Sequence, residues 1–124
     1  MAVVDEVSQL VDGAAQSVGS IVVVEDPLVS KLVRAVLEKR GYEVKLAGAA
    51  DAAALLASPQ SRVGILVTNT PDTFLQFADR VPLLYLTSAP NLLLEAAFRT
   101  CRVVVKPFVP SDLVTAVTEL SIPL

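Results

Sequence analysis

The chain has 124 residues, 53 % of them hydrophobic and 19 % charged, with a formal net charge of −3. That length suits one domain, the composition supports a packed core, and no basic stripe of the kind nucleic-acid binding needs is present. There is no histidine, which excludes His-based acid–base chemistry and His metal ligands, and the single cysteine, Cys101, has no internal disulfide partner.

Residues 2–18 place Val3, Val7, Leu10, Val11, Ala14 and Val18 at helical spacing, with Asp5, Glu6, Gln9, Asp12 and Gln16 between them. This pattern predicts an amphipathic helix or linker over 1–19, ended by Gly19-Ser20. The second unit, 20–124, opens on Ile21-Val22-Val23-Val24, a β-branched run typical of a strand buried on both faces. Asp26 reads as an N-cap and Pro27 as a first helical residue. Leu28, Leu32, Ala35 and Val36 are expected on that helix's inner face, and Lys39-Arg40-Gly41 closes it. Strands follow at Tyr42 to Leu46, Val63 to Thr68, Pro82 to Leu86 and Arg102 to Val105. Short helices are expected at Asp51 to Ala57 and Asn91 to Phe98, and a last one at Ser111 to Leu120.

Alternating strands and helices imply an α/β fold with right-handed crossovers. Five strands in this order suit a doubly wound, flavodoxin-like parallel sheet in the order 2-1-3-4-5. One crossover is short. Thr73 to Val81 leaves nine residues before the fourth strand, where a helical crossover usually needs at least about 10–12. Phe74, Leu75, Phe77 and Ala78 are expected to make one or two turns, so the third helix should be stunted and the sheet thinly covered there.

Chemistry in such a sheet gathers at the carboxyl ends of the strands. Those ends carry Glu25 and Asp26, then Asn69, then Thr87 and Ser88, then Lys106-Pro107-Phe108. The constellation resembles the receiver domain of two-component signalling. The likeness runs from about Ile21 to Leu120. It is carried by Val22 to Val29, Arg40-Gly41-Tyr42-Glu43-Val44, Val81-Pro82-Leu83 through Leu86-Thr87-Ser88, and Val105-Lys106-Pro107-Phe108. It implies that the acidic pair Glu25 and Asp26 would hold Mg²⁺, that the residue after strand 3 would accept phosphate, and that Thr87 and Lys106 would hold the phosphoryl group.

The sequence departs from that pattern at four places. Asn69 stands where the acceptor aspartate belongs, and an amide cannot form an acyl phosphate. The first loop is one residue short, or Val24 occupies the first acid position. Val103 replaces the switch aromatic, and the third helix is nearly lost. Without an acceptor carboxylate, Lys106 is better read as an ion-pair partner of Glu25 or Asp26 than as a phosphate ligand. Asn69 also reads as a turn residue bonded to its own backbone, Thr87 to Pro90 as a helix-start loop, and Cys101 as a small core residue.

The favoured function is a non-enzymatic, cytoplasmic interaction module of a phosphorelay that does not accept phosphate. A histidine kinase or an output protein is the expected partner, with no nucleic acid, no membrane and no cofactor; Mg²⁺ at Glu25 and Asp26 belongs to the competing reading. In that reading another carboxylate, such as Asp72, is phosphorylated. A small doubly wound enzyme or nucleotide binder ranks third, because Glu25-Asp26-Pro27-Leu28 has no phosphate-binding glycine. Leu92, Leu93, Leu94 and Phe98 are expected to offer an interface, since three consecutive leucines cannot all face one sheet. The N-terminal stripe must also be buried. Association, including a homodimer, is preferred over docking on the thinly covered sheet.

Overall fold

β1, Ser20–Val24, leaves Ile21, Val22 and Val23 fully buried, as expected of a strand covered on both faces. The computed structural model describes residues 19–121, so the N-terminal stripe lies outside the described residues. The other strands are β2 (Glu43–Leu46), β3 (Val63–Thr68), β4 (Leu83–Thr87) and β5 (Cys101–Val105). All pair in parallel in the order β2-β1-β3-β4-β5. The helices are α1 (Pro27–Glu38), α2 (Ala49–Ala57), α3 (Leu92–Ala97) and α4 (Pro110–Ser121), with a 3-10 segment at Pro71–Phe77.

Period-two alternation in the strands divides the core in two. Ile21, Val23, Ile65, Val67, Leu84 and Leu86 pack against Val33 and Leu37 of α1 and Leu113, Ala116 and Val117 of α4. On the other face, Val22, Leu66, Leu83 and Tyr85 meet Ala52 of α2, Phe74, Phe77 and Phe98.

The Asp26 carboxylate accepts from the Leu28 and Val29 N–H groups at 3.0 and 3.1 Å, and Pro27 begins α1. These bonds satisfy two of the donors that open a helix. At the other end Gly41 has φ +91°, with Gly41 N–H donating to the Glu38 carbonyl and Tyr42 N–H to that of Leu37. This is the Schellman arrangement, which favours glycine at the left-handed position. Asp26→Ala is expected to cost about 1 kcal/mol, read as a lower urea midpoint with an unchanged slope.

Three expectations need correction. The inner face of α1 is Val29, Ser30, Val33, Val36 and Leu37, whereas Leu28 is 81 % and Leu32 46 % exposed and Ala35 faces solvent. Two apolar rows run side by side on this helix, and the sheet covers only one. The third crossover is indeed stunted to a kinked 3-10 segment with non-helical dihedrals at Phe74. It does not leave the sheet bare, because Phe74 and Phe77 are buried and fill the space a helix would take. Lastly, Phe98 is only 4 % exposed and belongs to the core, so it offers no interface. Leu94 is partly buried beside it, and Leu92 and Leu93 point outward at 78 % and 83 % exposure.

Candidate functional site

The register fixes what meets at the carboxyl edge. Val24 pairs with Thr68, Thr68 with Tyr85, and Thr87 with Val105. Glu25 and Asn69 therefore each come one residue past the end of their strands, side by side. β4 and β5 run farther, and Lys106 follows β5 with its N–H donating to the Thr87 carbonyl at 2.8 Å. The Lys106–Pro107 peptide is cis.

Lys106 Nζ lies 2.7 Å from Glu25 Oε2. The strand order separates β5 from β1 by three steps of roughly 4.8 Å, so this ion pair crosses the ends of β4 and β3. The Glu25 side chain is fully buried, whereas that of Lys106 is 24 % exposed. Glu25 Oε1 accepts from the Asp26 N–H at 3.1 Å. Oε2 has no hydrogen bond of good angle, so it is balanced by the charge of Lys106 rather than by a directed bond. The Ser30 hydroxyl donates to the Glu25 carbonyl at 3.1 Å and anchors this corner to α1. The partner of Lys106 is Glu25 and not Asp26.

The remaining positions are also engaged. Asp26 is exposed and turned to its own helix as a cap. The buried Thr87 hydroxyl accepts from the Ala89 N–H at 3.0 Å and shapes the loop before α3. Asn69 is exposed, and its amide makes no hydrogen bond to the described residues. The turn around it is held instead by the Thr68 hydroxyl, which accepts from the Thr70 N–H at 3.1 Å and sits 3.2 Å from the Thr70 hydroxyl. Asp72 is exposed in the first turn of the 3-10 segment. Val103 is partly buried and pairs with Tyr85.

A hard divalent cation prefers several free carboxylate or carbonyl oxygens. Here one carboxylate is neutralised by an ammonium, one caps a helix, and the third position is an amide. No group of three or more His, Cys, Asp or Glu suited to a metal occurs among the described residues. Burial, then Glu95, pushes the Cys101 thiol up to about 11, which disfavours the reactive thiolate.

Spacing missed the Thr68–Thr70 pair and the Ser30 anchor. Both depend on which way a hydroxyl turns, and a sequence does not record that. No helix among the described residues is long and apolar enough to cross a membrane.

No protein-family model matches the chain, and no curated protein matches it by sequence. Solved structures do. The chemotaxis response regulator CheY4 of Vibrio cholerae matches with a TM-score of 0.65 at 19 % identity, covering 82 % of this chain and 98 % of that one. A response regulator receiver domain protein from Bacillus halodurans gives 0.66 at 20 %, covering 86 % and 98 %. The receiver domain of the hybrid histidine kinase CckA gives 0.63 at 16 %, covering 84 % and 100 %. With its sheet order, crossovers and strand-end crevice, the chain has the fold of response-regulator receiver domains.

Proposed function

We propose that the chain is a receiver-like module of two-component signalling that acts by protein contact and does not accept phosphate. One observation carries the reading: Lys106 is paired with Glu25 across the strand ends, and β3 is followed by an amide, Asn69, in place of a nucleophile. A phosphoryl group needs an ionised carboxylate to receive it and positive charge to hold it. Here the acceptor is missing and the positive charge is committed to Glu25. The same commitments argue against Mg²⁺ at Glu25 and Asp26 and against any catalytic role.

Contact with a histidine kinase, an output protein or a second copy would use exposed apolar surface. Leu92 and Leu93 supply it at the start of α3. A cytoplasmic setting fits the single unpaired cysteine.

Incubation with a small phosphodonor and Mg²⁺, followed by intact-mass measurement, tests the reading. No mass increase of one phosphoryl group is expected. Asn69→Asp alone is expected to gain no phosphoryl group either, because the acidic loop after β1 and the aromatic position at Val103 are changed as well. A phosphorylated species in the unmodified chain, mapped to Asp72 or Asp26, would establish the alternative instead.

A further inference from the structure

β5 is an outer strand of the five-stranded sheet. Its pairing with β4 shows which of its backbone groups are left over. Leu83 N–H donates to the Thr100 carbonyl and Lys106 N–H to the Thr87 carbonyl, so the even-numbered residues face β4. Cys101, Val103 and Val105 therefore turn their N–H and C=O groups outward. Such a row is a template for another strand. The opposite edge, β2, carries the exposed charges of Glu43 and Lys45, which pair with each other at 3.8 Å. β5 has a single charged residue, Arg102, among apolar ones, and Val105 is 50 % exposed.

Arg102 does not simply point into water. Its Nη1 donates to the Cys101 carbonyl at 2.9 Å, and its Nε donates to Glu119 Oε1 of α4 at 3.2 Å. The guanidinium thus covers an outward carbonyl that a docking strand would need, and the carboxylate holds it there. We propose that β5 is a pairing edge for the β5 of a second copy of this chain, and that Arg102, clamped by Glu119, keeps it shut. The inference does not rest on the signalling assignment.

Three observations select a second copy, and select it antiparallel. The first is register. A twofold axis at Val103 sets that residue opposite its own counterpart and Cys101 of each copy opposite Val105 of the other. All three are outward-facing residues, so each pair can exchange both of its hydrogen bonds. The second is charge. α4 returns along β5, so Glu119 lies beside Arg102 at the amino end of the strand, and Asp112 lies in the same groove toward the carboxyl end. The twofold brings Arg102 of one copy toward Asp112 of the other, whereas a parallel pairing in register would set Arg102 beside Arg102. The third is room. A groove of about 330 Å³ lies between β5 and α4, and one of about 530 Å³ lies between β5 and α3. The side chains of an added strand have space on both faces. Such a contact is self-complementary and ends at a dimer, because each copy has one β5.

Sedimentation velocity of the full chain in reductant, with hydrogen exchange at the same concentrations, tests the proposal. In the parent chain the Val103 and Val105 amides are expected to exchange as those of an open edge. Arg102→Thr, which keeps a strand-favouring residue, is expected to sediment as a dimer. Those two amides should then exchange slower by about tenfold or more, and dilution should reverse the slowing. Glu119→Ala keeps the charge of Arg102 and frees its side chain, so it should dimerise as well, at higher concentration. Protection of Ile21 to Val23 in each chain reports that the domain is folded. A monomeric Arg102→Thr chain with open Val103 and Val105 amides would overturn the proposal, as would a parent chain in which these amides are already protected. A dimer that leaves them open would place the contact elsewhere and overturn pairing at β5. A Glu119→Ala chain that stays monomeric would overturn the clamp.

Discussion

Lys106→Met is expected to destabilise the domain by about 3 kcal/mol, the low end of what breaking a buried ion pair costs. The Glu25 side chain is wholly buried, and the Lys106 ammonium at 2.7 Å is its counter-charge. Methionine keeps the length of the side chain and removes the charge, so a buried carboxylate is left without its counter-charge. The low end applies because Lys106 itself is about a quarter open to water, which reaches the site and screens it. Glu25→Gln should cost much less, about 1 kcal/mol. The amide oxygen still accepts from the Asp26 N–H, and the lysine is free to swing into solvent. The two changes are therefore unequal, although they break the same pair. Urea unfolding of both variants at neutral pH checks this. Equally small costs would mean the pair contributes no more than a surface contact.

The larger loss is expected from Phe74→Ala, at roughly 3–5 kcal/mol. Phe74 is fully buried in the core layer that also holds Phe77, Tyr85 and Phe98. It stands in the crossover that lacks a regular helix and is the largest fully buried side chain among the described residues, so its truncation leaves a large cavity. Domains of this size hold about 5–15 kcal/mol in total, so the melting temperature should fall by roughly 15 °C or more. Leu75, the next residue, is 46 % exposed, and Leu75→Ala should be nearly neutral. Thermal melts of the two variants, compared at one protein concentration, give the answer. Similar losses would show that the 3-10 segment acts as a surface loop and that the aromatic pair does not substitute for a helix.

The sequence alone determined the parallel α/β order, because buried β-branched runs alternate with helical patterns and leave few topologies open. It also determined the Asp26 cap and the stunted crossover, since both follow from residues close together in the chain. The amide at the end of β3 was equally plain, because Asn69 directly follows a strand-length apolar run. The tertiary structure decided matters of phase and of distance. Periodicity on α1 offers two apolar rows, and only packing on the sheet chose Val29, Val33 and Leu37 and left Leu28 and Leu32 outside. The same holds for α3, where Phe98 turned inward while Leu92 and Leu93 turned out. The choice of Glu25 over Asp26 as the partner of Lys106 needed the strand order, because the two ends of that pair lie far apart in sequence and meet only across the top of the sheet. A local pattern fixes a period, and the phase of a helix or the reach of a side chain is set by what the rest of the fold places against it.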